Sequence, residues 1–79
     1  MFKEKIMQMI DKNNESLANC EAGLFEIETL SAFINKQAEL GNIAKAQHNI
    51  ANDMLLMIKV RTTMTQMSIE EINRMMKEV

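Results

Sequence analysis

Ten positions in the first half of the chain recur with alternating steps of four and three residues: Ile6, Ile10, Asn13, Leu17, Cys20, Leu24, Ile27, Ser31, Ile34 and Ala38. Eight of the ten are apolar or thiol. Side chains spaced in this way line one stripe of an α-helix, and such a stripe must be buried against another helix. Phe25, Leu30 and Phe33 widen the stripe between Ser16 and Leu40. The pattern predicts a helix over about residues 2–40. Lys12-Asn13-Asn14-Glu15-Ser16 is a candidate kink within it, because two Asn and a Ser lower helix propensity and can cap a new helix. Gly23 costs up to about 1 kcal/mol relative to Ala inside a helix and predicts a close approach of a neighbouring helix.

The periodicity stops at Leu40, and Gly41 follows it. A glycine just past a helix end can take the left-handed conformation that satisfies the last carbonyls, and Asn42 is then a natural N-cap for a second helix. A connection this short forces the two helices to run antiparallel. The second helix is expected over about residues 43–66, with Ile43, Ala46, Ile50, Met54, Met57, Met64 and Met67 on one side. Ile43, Ile50, Met54 and Met57 are expected to pack on Leu24, Ile27, Leu30 and Ile34 of the first arm. Thr62-Thr63-Met64-Thr65 is a poor helix interior, and Ser68 with Glu71 forms a capping-box pattern. A short third helix over about residues 69–78 is therefore expected, carrying Ile69, Ile72, Met75 and Met76 on one face. The predicted fold is an all-α, coiled-coil-like antiparallel helical hairpin forming a single domain.

Composition sharpens this picture. The 79 residues include no Pro, Trp or Tyr, two Gly and nine Met, which removes the usual turn-makers and favours helix throughout. So short a chain buries a modest share of its surface, and a lone hairpin of this size needs self-association or a bound partner. Between Met54 and Val60 the second arm is apolar nearly all round. One side can face the hairpin partner and the other something else, and methionine adapts readily to another protein's shape. The expected partner-binding residues are Met54, Leu55, Met57, Ile58, Met64 and Met67.

Charge and candidate chemistry add little beyond exclusions. The net charge is −2, with four Lys against seven acids before Gly41 and five Lys or Arg against four acids from Gly41 onward. Nothing there resembles a polybasic nucleic-acid surface. Neither a signal-peptide apolar core nor a membrane-length apolar run is present, so a chain that is cytoplasmic as synthesised is expected. Cys20 lies on the apolar seam, where a small hydrophobe is expected, and it has no second cysteine for an internal disulfide. His48 is the only histidine, flanked by Gln47 and Asn49, and reads as a solvated side chain. No second imidazole, carboxylate–His pair or Cys cluster completes a metal site, and no Gly-rich phosphate loop occurs. Catalytic, cofactor and metal residues are expected to be absent, and the protein is expected not to be an enzyme.

One resemblance goes further. Asn42-Ile43-Ala44-Lys45-Ala46-Gln47, followed by Ile50, Leu55, Val60-Arg61 and Glu71-Ile72-Asn73-Arg74-Met75-Met76, resembles the C-terminal half of type III secretion inner-rod and needle subunits and of the flagellar rod-junction protein. The resemblance covers under half of the chain. It implies C-terminal helices that stack into a hollow tube and incorporation into a secretion apparatus. The turn here lacks the proline usual in needle subunits. The same hairpin also resembles the small coiled-coil co-chaperones of needle subunits. The expected function is thus a non-enzymatic helical interaction module with a protein partner or itself, a structural subunit or chaperone of a secretion-type assembly; the alternative is a small phage- or plasmid-type inhibitor that docks its helices on a larger protein.

Overall fold

The computed structural model describes residues 2–79 as two helices, α1 (Phe2–Glu39) and α2 (Lys45–Lys77), packed side by side as a hairpin. No strand occurs among the described residues. The hairpin is a rod of 59 × 14 × 11 Å, with a radius of gyration of 17.8 Å. A compact domain of this length would have a radius near 12 Å.

The turn is built on Gly41, whose φ of +74° lies in the left-handed region. Its amide donates to the Ala38 carbonyl (3.1 Å) and the Asn42 amide donates to the Gln37 carbonyl (2.9 Å), the pair of bonds that closes a Schellman motif. The Asn42 side chain also donates to Gln37 Oε1 at 2.7 Å. Asn42 therefore finishes α1 and does not start α2. The N-cap position falls at Ala44, which has no side-chain acceptor, and the cap is half made: the Ala44 amide donates to Gln47 Oε1 at 3.3 Å.

Both expected interruptions are absent. α1 runs straight through Lys12–Ser16, with the Ser16 hydroxyl bonded back to the Lys12 carbonyl. α2 continues through Thr62–Thr65 to Lys77, so there is no third helix and Ser68 caps nothing. The Thr63 and Thr65 hydroxyls donate to the Lys59 and Arg61 carbonyls (2.9 and 3.0 Å), which accommodates these β-branched residues without a break. Gly23 does not mark a close approach either, since a Cβ built there meets nothing within 4 Å.

All ten seam positions of α1, from Ile6 to Ala38, are half-buried, and only Gly23 and Gln37 join them in that helix. The face of α2 that meets this seam is a different one from that expected. Its buried and half-buried members are His48, Ala51, Asn52, Leu55, Thr62, Thr63, Gln66, Ile69, Asn73 and Met76. Ile50, Met54 and Met57 of α2 are exposed, and so is Leu30 of α1, at the edge of the seam. The reason lies in Asn13. It sits within α1's seam whichever way α2 is turned, and an amide there needs a partner. On the methionine side that level of α2 holds the Glu71–Arg74 ion pair, whereas on the observed side Asn73 accepts from Asn13 Nδ2 at 2.8 Å.

Candidate interaction surface

Two amide clusters clamp the hairpin, one near each end. At the open end, Asn73 is 5 % exposed; it accepts from Asn13 and donates to Asn14 Oδ1 at 3.2 Å. Met76 Sδ lies 4.0 Å from Asn13 Nδ2. Beside the turn, Asn35 Oδ1 lies 2.7 Å from His48 Nε2 and accepts from Asn52 Nδ2 at 3.4 Å. His48 is accordingly half-buried in the seam and hydrogen-bonded, not the solvated side chain that its polar neighbours suggest. No buried side-chain N or O among the described residues lacks a partner. Polar layers of this kind fix register in paired helices.

Between the two clusters, Leu55 is the single fully buried hydrophobic residue at 8 % exposure. That overturns its placement on a partner-facing surface: Leu55 belongs to the hairpin's own interface. The other five expected partner-binding residues, Met54, Met57, Ile58, Met64 and Met67, are exposed. Met57 is the most open of them at 70 %.

The exposed residues are not scattered. Ala46, Ile50, Met57, Val60, Met64 and Met67 fall on steps of three, four and seven, the spacing of a second helical seam, and they lie opposite the polar one. Met54, Met57, Ile58 and Arg61 border an open hollow on this side. Glu71 and Arg74 close the stripe toward the C-terminus: the Arg74 guanidinium binds both Glu71 carboxylate oxygens and reaches Glu78 at 2.7 Å. The hydrogen bond from Arg74 holds the Glu71 carboxyl below the usual carboxylate range against an opposing desolvation, with the Arg74 charge adding a lesser pull in the same direction. A second, smaller apolar surface lies on α1, where Phe25, Leu30 and Phe33 border a shallow hollow with Thr29.

Cys20 is a free, half-buried thiol beside Ile58, Arg61, Thr62 and Thr65. His48 meets Asn35 instead, so the hairpin does not bring the thiol and the imidazole together. Among the described residues no group of three or more His, Cys, Asp or Glu is placed to hold a metal ion. No helix among them is long and apolar enough to cross a membrane.

The signal that locates the true seam of α2 was present in its polar residues. His48, Asn52, Leu55, Thr62, Gln66, Ile69, Asn73 and Met76 themselves follow heptad steps, and Asn13 in α1 required an amide opposite it. In comparisons with protein-family models, curated proteins and solved structures, the chain matches none.

Proposed function

We propose that this protein is a non-enzymatic helical interaction module whose working surface is the outward stripe of α2. One observation carries the reading: the hairpin spends the polar face of α2 on its own interface and turns the apolar face outward. Eighteen large hydrophobic residues are exposed among those described, against a single buried one, Leu55. The accessible surface is 6433 Å². A compact protein of 9.1 kDa would expose roughly 4,900 Å². A continuous apolar stripe on a rod with almost no core of its own is the mark of an interaction site.

The narrower role, a structural subunit or chaperone of a secretion-type assembly, rests on the resemblance of Asn42–Val79 to inner-rod and needle subunits. The hairpin's length and its outward stripe suit either role. Light-scattering mass measured with increasing concentration tests the broad reading and separates the two roles. Mass above the monomer that falls on Met57→Glu supports an interaction surface on α2. Open-ended growth favours a structural subunit, and a fixed stoichiometry favours a chaperone. A chain that stays monomeric at every concentration, with or without Met57→Glu, and binds no partner helix would sink the proposal.

A further inference from the structure

We infer that the occupant of α2's outward stripe is a second copy of this chain, packed antiparallel about a two-fold axis at Met57. This rests on the interaction-module reading and names its partner. The stripe is close to symmetric about Met57 in chemistry as well as position. Ile50 and Met64 lie seven residues to either side, and Met54 and Val60 lie three to either side. All five are exposed. At 1.5 Å per residue the stretch from Ile50 to Met64 is about 21 Å long, enough to seat another helix over four turns.

The charges break the symmetry in the manner that a two-fold antiparallel pair uses. Asp53 precedes Met57 by four residues and Arg61 follows it by four. Both are exposed, and among the described residues neither side chain forms an ion pair within the hairpin. Reversing a second α2 over the first about Met57 sets Asp53 of each copy level with Arg61 of the other, twice. A parallel copy would set acid on acid and base on base instead. The hairpin's surface exceeds that of a compact chain of its mass by roughly 1,500 Å². A standard interface takes about 800 Å² from each partner. Because the two-fold contact uses the same patch on both copies, it closes at the dimer.

Sedimentation of the full chain over a range of concentrations tests this. Wild type should form a dimer. Asp53→Arg makes every facing pair basic and Arg61→Asp makes every facing pair acidic, so each variant alone should dimerise at least about tenfold more weakly. An equimolar mixture of the two should recover dimer, and the double variant Asp53→Arg/Arg61→Asp should dimerise like wild type. Circular dichroism on each variant checks that the helices persist. Single variants that assemble like wild type, or a mixture that fails to recover, would overturn the inference. If association is lost on Met57→Glu yet ignores the charge swaps, the stripe binds in another register and only the interaction-module reading survives. Open-ended growth, or binding only to a different protein, has the same consequence. A monomeric wild type indifferent to Met57→Glu removes both.

Discussion

Asn13 and Asn73, sixty residues apart in the chain, face each other across the open end of the hairpin with a 2.8 Å hydrogen bond. Asn73 also bonds Asn14, and it is the most buried residue described. Two amides in a row on α1, which read as a weak point for the helix, are instead the reason α2 presents its polar face inward.

Asn73→Ala removes the partner of both Asn13 and Asn14. Leaving a part-buried amide unsatisfied costs about 1–3 kcal/mol. We expect a loss of that order in denaturant midpoints. Replacing Asn13 and Asn73 together by Leu should restore stability while loosening register, which spin-label distances between the helices would report as a broadened distribution.

Leu55→Ala should be the most damaging single truncation on α2, at about 2–5 kcal/mol. Met57→Ala, on the exposed stripe, should leave the melting of the isolated hairpin nearly unchanged at low concentration. Equal losses for the two would place the methionine stripe inside the hairpin.

The two glycines should respond with opposite signs. Gly23→Ala meets no steric obstacle and removes backbone freedom from the unfolded chain, so it should stabilise by about 0.5–1 kcal/mol. Gly41→Ala must hold a side chain at a φ of +74°. It should cost about 1–2 kcal/mol in thermal unfolding.

Glu71 gives a pH-dependent contribution whose sign follows from its lowered pKa. A carboxylate that is more acidic when folded adds stability above its unfolded value, near pH 4.3, and loses it as pH falls through the folded value. Wild type should therefore exceed Glu71→Gln in stability at neutral pH, and the difference should shrink as pH falls below the unfolded value and be gone once it is below the folded one. The pair is exposed, so added salt should shrink the difference as well.

The seam of α1 was legible in the sequence because its apolar and thiol residues offer a single consistent stripe. Gly41 was equally legible, since it is the glycine that directly follows Leu40, where the helical periodicity stops. The rotational setting of α2 was not. Hydrophobicity pointed to Ile50, Met54 and Met57 as the inward face, but an apolar stripe only has to be covered by something, whereas an amide inside the seam has to be matched. The need to pair Asn13, together with the contacts of Asn35 with His48 and Asn52, outweighed the larger apolar area. The same reasoning moved Leu55 from the candidate partner surface into the hairpin. The expected third helix failed for a local reason: threonines judged by propensity alone look like breaks, but their hydroxyls find carbonyls one turn back.

The two amide clusters also differ in how much chain must be gathered before each can form. The Asn35–His48 contact spans thirteen residues around the Gly41 turn, and Asn13–Asn73 spans sixty. Closing the longer span costs about 1.4 kcal/mol more in chain entropy if nothing between is yet ordered. Assembly should therefore begin at the turn and zip outward, each layer shortening the loop left for the next, with Asn73 docking last. Unfolding should run the other way. Amide hydrogens around Asn13 and Asn73 should exchange before those around Leu55, so the end that sets which face of α2 looks outward is also the end that opens first.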